Sequence, residues 1–474
     1  MEYESTLIIA AICVGFYMAW NIGANDVANA IGTSVGSGSL SLKRAVILAG
    51  IFEFSGALFV GASVSQTIQK GIINTEIFAG DPHALIYGMM ASLLSAGIWL
   101  QVASYYGWPV STTHTIVGAV LGFGAMYGGL QAVYWGTVAS IVGSWVISPL
   151  LGAASSYLFF TFISRKIFYN AHPVKAAIRL TPFLVFWVSG ILTMVTLFKG
   201  LKNLHLDLSN ASAMAISIGV SLFCALVGYL VVRRYDVETS PELEDNRQNP
   251  QVIFALQKAQ KHLLRAQGDA TGEVYIHLGG MIDEVSHTAA NLKKQTLSHQ
   301  NSSEFVIVEK IFACLQVLSA SCMAFAHGAN DVANAIGPLS AIIVTIKTGV
   351  VNTSSEVPFW VLLLGATGIV IGLASWGWRV VDTIGKRITE LTPSRGFAAE
   401  FGAATTILIA SKMGLPVSTT HTLVGAVLGV GLARGIGALN LNTIRDIFVS
   451  WIVTVPIGAV LAIIFFSVLN GFFG

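Results

Sequence analysis

The chain has 474 residues, 54% of them hydrophobic and only 11% charged, with a mean hydropathy of +0.72. These values exclude a soluble globular protein and give a polytopic membrane protein. The formal net charge of +2 carries no signature of nucleic-acid binding, and Cys13, Cys224, Cys314 and Cys322 all lie in apolar runs, which argues against a disulfide framework or a zinc site.

Apolar stretches able, or nearly able, to cross about 30 Å of hydrocarbon run at about 7–31, 45–66, 84–104, 114–130, 136–163, 181–198 and 211–232. The first has no basic segment before it and reads as a retained span, not a cleaved leader. A polar segment follows from about Arg233 to Glu304, with Pro241, Pro250 and many Glu, Gln, Lys and His residues. Within it Ile253, Leu256, Leu263 and Leu264 fall roughly on one helical face, so a small helical hairpin is expected. Glu284 and His287 stand one helical turn apart there, a spacing that surface helices produce often without holding a metal. Further apolar stretches at about 306–345, 358–378, 397–411, 416–433 and 447–471 bring the expectation to about twelve crossings. The expected organisation is therefore a membrane half over 1–232, a helical insert over 233–305 and a second membrane half over 306–474.

Basic residues orient these spans. With the N-terminus outside, the inner connections hold twelve: Lys43, Arg44, Arg165, Lys166, Lys175, Arg179, Arg379, Lys386, Arg387, Arg395, Arg434 and Arg445. The outer ones hold five, Lys70, Lys199, Lys202, Lys347 and Lys412, so both termini are expected outside and the insert in the cytoplasm.

The chain repeats itself. GANDVANAIG, from Gly23 to Gly32, returns unchanged from Gly328 to Gly337, 305 residues later. PVSTTHTIVGAVLGFG, from Pro109 to Gly124, returns 307 residues later as PVSTTHTLVGAVLGVG from Pro416 to Gly431, identical at fourteen of sixteen positions. In the orientation above the two copies run in opposite directions, the inverted-repeat plan of many secondary transporters.

In GANDVANAIG, Asn25 and Asn29 share a helical face and Asp26 lies about 100° round from Asn25. Asn330, Asp331 and Asn334 repeat that pattern, and the small residues around both copies let another backbone approach. An acid inside a span is costly unless paired or solvated, and usually marks an ion or proton path; ligands made only of oxygen suit a hard cation such as sodium. In PVSTTHT, Pro109 and Pro416 cannot continue a preceding helix, and Ser111 or Thr112 makes an N-cap for the apolar helix that follows. A helix N-terminus carrying Ser111, Thr112 and Thr113, or Ser418, Thr419 and Thr420, is a ready anion site, and two such ends in inverted halves would dip toward a shared midplane. For His114 and His421 a structural hydrogen bond is expected.

None of the 26 Lys and Arg residues lies in the interior of a span, whereas Asp26, Glu53, Asp331 and Glu400 do. An anion beside four carboxylates is repelled unless cations accompany it or the acids are protonated, and coupled cation and anion transport is the simplest resolution. Glu400, near the start of its span, has a second reading as a helix N-terminal charge. Neither Glu53 nor Glu400 is repeated, the 307 offset matching Glu400 with Leu93, so the halves are not equivalent in function.

Taken together, the two GANDVANA copies, the twin PVSTTHT segments, IFEFSG with Glu53 and PSRGFAAEF with Glu400 resemble the inorganic phosphate transporter (PiT) family over essentially all of the chain except the insert. The resemblance implies an all-α membrane protein of twelve spans in two inverted repeats, with two re-entrant helical hairpins meeting at the midplane. It implies symport of inorganic phosphate with cations; no enzyme is expected, because the hydroxyls lack an evident activating base, and no cofactor beyond co-transported sodium. Carried over by motif, Ser111, Thr112, Thr113, Ser418, Thr419 and Thr420 would cradle phosphate. Asn25, Asp26, Asn330 and Asp331, with Asn29 and Asn334, would bind sodium, and Glu53 and Glu400 match acids needed for transport. The alternatives are a proton-coupled carrier of phosphate or metal phosphate, a sulfate permease and, from another class, a phosphate-sensing receptor signalling through the insert. The expected partners are phosphate, sodium or protons and the lipid of a plasma or inner membrane, without nucleic acid; a homodimer is left open.

Overall fold

The computed structural model describes residues 2–197, 208–235, 250–300, 303–351 and 357–473; Lys199, Lys202 and Pro241 lie outside them. The described residues form helices, with no strand and one isolated antiparallel bridge between Ile73 and Val133. In chain order the helices are α1 (Glu2–Gly36), α2 (Leu42–Val60), α3 (Ala62–Lys70), α4 (Pro82–Tyr106), α5 (Thr112–Gly128), α6 (Trp135–Ile163), α7 (Pro173–Val195) and α8 (Asn210–Val232). They continue as α9 (Pro250–Gly268), α10 (Glu273–Gln300), α11 (Ser303–Asp331), α12 (Ala333–Thr348) and α13 (Phe359–Ser375). The last are α14 (Trp378–Asp382), α15 (Pro393–Lys412), α16 (Thr419–Arg434) and α17 (Leu441–Phe473).

Seven described helical segments, one of them α11 and α12 taken together over Glu304–Thr348, are long and apolar enough to cross a membrane, and an eighth counts if Phe359–Ser375 and Trp378–Arg387, bent by 67°, form one span. Several of the twelve expected crossings are thus short helices or broken ones. The stretch at 45–66 is divided at Gly61, and the one at 306–345 at Val332, breaks that hydropathy averages over. The two breaks face each other: a Cβ on Gly61 would overlap the Val332 side chain, and a Cβ on Gly377, at the α13–α14 bend, would overlap Val27. Glycine is required at these positions by close approach. The same contact is made twice elsewhere, where Gly23 lies on the Ile369 carbonyl and Gly328 on the Glu53 carbonyl.

By contacts the chain divides into two compact units. The first comprises Met1–Phe160, Val185–Cys224 and Ala313–Gly474. In it α4 is largely internal, 72% buried along its apolar window, as a helix apolar all round should be. Gly107, at φ +70°, ends α4 in the left-handed conformation, and Pro109 then keeps the chain extended until Ser111 starts α5. Gly414, at φ +72°, and Pro416 do the same between α15 and α16. Two helical hairpins result, α4–α5 and α15–α16, each with PVSTT at its tip.

The second unit comprises Thr161–Leu184 and Ala225–Phe312. Its helices α9 and α10 pack together as a hairpin turned at Gly272, φ +64°. Leu256 and Leu263 are half-buried but Leu264 is 51% exposed, so the apolar face is narrower than the sequence spacing suggests; the Ile253 side chain lies outside the described ones.

Candidate functional site

The hairpin tips meet. Thr113 Oγ1 donates to the Val417 carbonyl at 3.3 Å and Thr420 Oγ1 to the Val110 carbonyl at 3.3 Å, the same bond made once from each tip. Ser111 Oγ caps α5 by accepting from the His114 N–H at 3.2 Å, and Ser418 Oγ caps α16 from the His421 N–H at 3.1 Å. Capping therefore falls to the serines, leaving their hydroxyl protons to donate outward, while Thr112, Thr113, Thr419 and Thr420 line the junction, each at most 2% exposed.

The two GANDVANAIG segments tie these tips together crosswise. Asn29 Nδ2, in the first copy, donates to Thr420 Oγ1 at 2.8 Å and Thr419 Oγ1 at 3.4 Å, in the second hairpin. Asn334 Nδ2, in the second copy, donates to Thr112 and Thr113 Oγ1, both at 3.2 Å, in the first. Asn25 and Asn29 send their amide N–H groups to different partners. Asn25 Nδ2 turns instead to Ser104 Oγ at 3.0 Å and the Trp108 carbonyl at 3.2 Å, bracing the end of α4, and Asn330 Nδ2 binds the Val417 carbonyl at 2.9 Å.

The acids sit against the same hydroxyls. Asp331 Oδ2 accepts from Thr419 Oγ1 at 2.6 Å and its Oδ1 from Asn330 Nδ2 at 2.6 Å, while Asp26 Oδ1 accepts from Thr420 Oγ1 at 3.3 Å. Between the acids stands a residue that sequence reasoning missed. His327 Nε2 lies 3.0 Å from Asp331 Oδ2 and 3.6 Å from Asp26 Oδ2, and its Nδ1 lies 3.1 Å from Glu53 Oε1. All four side chains are buried. Ligand atoms of Asp26, His327 and Asp331 fall within 4.8 Å of one another, close enough for one cation to touch all three. The signal is in the sequence, since His327 is an ionisable group one turn before Asp331 inside an apolar stretch.

Glu400 occupies a separate pocket. Its Oε1 accepts from Thr33 Oγ1 at 2.6 Å, Ser34 Oγ at 2.5 Å and Gln316 Nε2 at 3.1 Å, and its Oε2 accepts from Ser319 Oγ. It is the eighth residue of α15 and fully buried, so the reading as a helix N-terminal charge is discarded. Thr33 follows Asn29 by one turn of α1, which puts this pocket about 6 Å further along that helix. Gln316 Oε1 in turn accepts from Ser37 Oγ at 2.7 Å and Ser39 Oγ at 2.5 Å, extending the polar ladder to the end of α1.

The repeat offsets show that this polarity is one-sided. His327 corresponds to Ile22, and the paired glycine contacts match Glu53 with Ile369. Around Leu93, the counterpart of Glu400, the matching residues are Ala11, Val14, Pro338 and Leu339. The amides, aspartates and hydroxyls are thus duplicated, while the histidine and both glutamates are not.

A helical membrane protein whose buried centre joins two facing helix ends, eight amide or hydroxyl side chains and a cluster of acids is built to hold small ions away from lipid. Residues 22–462 match the model of the phosphate transporter family, and the chain belongs to that family. It is 45% identical over 462 residues to the chloroplastic inorganic phosphate transporter 2-1 of Arabidopsis thaliana, covering 97% of this chain and 71% of that one. Putative phosphate permeases of Chlamydia pneumoniae and Haemophilus influenzae are 43% and 41% identical, covering 98% and 100% of this chain and 99% of theirs. A solved structure titled as a sodium-dependent phosphate transporter superimposes with a TM-score of 0.80 at 35% identity, covering 98% of this chain and 99% of that one. The protein is therefore a multi-pass phosphate transporter.

Proposed function

We propose that the protein is a secondary active symporter that moves inorganic phosphate with sodium by alternating access, the halves over 1–232 and 306–474 moving about the crossed centre. The single observation that carries this reading is the charge at that centre. Asp26, Glu53 and Asp331 surround one imidazole, so even with His327 protonated the ionised cluster holds a surplus of two negative charges. A phosphate anion is repelled there unless cations enter with it or the acids take up protons, and accompanying cations are the simpler resolution. The oxygens of Asp26 and Asp331, with the amides beside them, suit sodium, and the threonine hydroxyls and helix N-termini of α5 and α16 suit phosphate. The name of the solved relative supports sodium as the coupling ion. The twelve-to-five distribution of basic residues supports an orientation with both termini outside and the insert in the cytoplasm; the membrane proposed is a plasma or inner membrane.

A second reading has its own observation in favour: His327 touches three carboxylates, which would suit a centre that trades protons. Phosphate uptake into proteoliposomes under an imposed sodium gradient, and separately under a proton gradient, decides between them. Uptake driven by sodium alone is expected; uptake driven only by protons would replace sodium in the account.

A further inference from the structure

Behind the hairpin tips four aromatic rings form a continuous chain of contacts, tilted or stacked at its ends and edge-to-face between the two histidines. Trp145 of α6 packs on His114 of α5 with centroids 3.7 Å apart; His114 meets His421 of α16 at 4.2 Å; His421 packs on Trp451 of α17 at 3.5 Å. All four residues are at most 9% exposed. The indole nitrogens of Trp145 and Trp451 are buried without hydrogen-bond partners. The hydrogen bonds expected for the histidines accompany this packing, His114 to the backbone at Trp451 and His421 to the backbone at Trp145.

The connectivity of the stack gives it a purpose. α5 is sealed to α17 by backbone contact, Gly118 on the Val455 carbonyl and Gly458 on the Thr115 carbonyl. α16 is sealed to α6 in the same way, Gly425 on Pro149 and Gly152 on the Thr422 carbonyl. Yet His114 of α5 stacks on α6, and His421 of α16 stacks on α17. Each imidazole thus reaches past its own helix pair to the helix packed against the one that carries the opposite tip. Each also belongs to the first turn that Ser111 or Ser418 caps, so ring position and tip position are coupled.

We propose that the Trp145–His114–His421–Trp451 stack is a clasp that joins the α5–α17 and α6–α16 pairs into one body and fixes the spacing between the two threonine-bearing tips. His114 and His421 are then positioning residues for phosphate, an inference that rests on the transport reading above. Because the tryptophans contribute flat rings and not their indole nitrogens, phenylalanine should serve in their place where leucine does not.

The test compares Trp145→Phe with Trp145→Leu, and Trp451→Phe with Trp451→Leu, in full-length protein reconstituted into proteoliposomes. Loss of one aromatic contact corresponds to about a tenfold rise in the KM for phosphate in each leucine variant, with kcat and the sodium dependence held within about twofold; the phenylalanine variants should match wild type. Hydrogen exchange of residues 111–117 and 418–424, measured without cargo, should quicken in the leucine variants alone. That readout stands whether or not the wild type carries phosphate, so failure of the clasp is separable from failure of the transport reading. Unchanged KM and exchange in both leucine variants, or an equal loss in phenylalanine and leucine variants, overturns the proposal.

Discussion

Asp331→Asn and Asp26→Asn make the same chemical change at repeat-related positions, yet the structure gives them different consequences. Asp331 accepts hydrogen bonds from Thr419 and Asn330, both at 2.6 Å, and faces His327 at 3.0 Å. An amide there turns one acceptor oxygen into a donor, so at least one bond to a charged group is lost and a buried donor faces another donor, costing about 1.5–3 kcal/mol. Asp26 makes a bond of 3.3 Å to Thr420 and a contact of 3.6 Å to His327, and its Oδ2 accepts no hydrogen bond. Its charge is thus committed less to the fold and is freer for a cation. Both variants should raise the sodium concentration for half-maximal uptake by roughly tenfold to a hundredfold, the equivalent of about 1.5–3 kcal/mol. Only Asp331→Asn should also lower the melting temperature of the detergent-solubilised protein clearly. The assays are initial phosphate uptake against sodium concentration and thermal unfolding of the same preparations. Sodium dependence unchanged in Asp26→Asn, or equal melting losses in both, would refute the reasoning.

Three further outcomes follow from the same geometry. Glu400→Gln swaps one acceptor oxygen for a donor among Thr33, Ser34, Gln316 and Ser319, so the initial rate of uptake should fall about tenfold or more, and full activity would make the pocket dispensable. Asn29→Ala and Asn334→Ala each cut one crossing between repeat and opposite hairpin; the phosphate KM should rise by a similar factor in both, about two- to tenfold, and an effect in one alone would deny the crossing its symmetry. Gly328→Val would drive a side chain into the Glu53 carbonyl and lower folded yield, at a cost of about 1–3 kcal/mol or more, whereas Gly219→Ala, with open space around it, should be silent in the same expression and melting assays.

What could be read from sequence was what adjacent residues encode. Pro109 and Ser111, like Pro416 and Ser418, define a helix stop and a helix cap within three residues, and the hairpin tips follow. The repeats are literal copies, so their amides and hydroxyls could be named. The pairing between them could not. Asn29 meets Thr420 from 391 residues away, and Thr33 meets Glu400 from 367, separations at which sequence periodicity carries no information. His327 was hidden differently: it stands in plain view beside Gly328, but its importance depends on Glu53 and Asp26 arriving from other helices. The breaks at Gly61 and Val332 also escaped, because an apolar stretch reads the same whether its helix is continuous or kinked. Glu400 shows the gain in detail, since burial and four donors turn an acid of two readings into the centre of a pocket.

The central claim is that phosphate enters this acidic centre only in the company of sodium. Its most direct measurement is the simultaneous influx of radiolabelled sodium and phosphate into sealed proteoliposomes held at equal pH on both sides. Sodium influx should appear on adding phosphate, in constant ratio to it, and should be lost together with phosphate influx in the Asp26→Asn, Asp331→Asn double variant. Phosphate entering at full rate without sodium, accompanied by a change in internal pH, would contradict it.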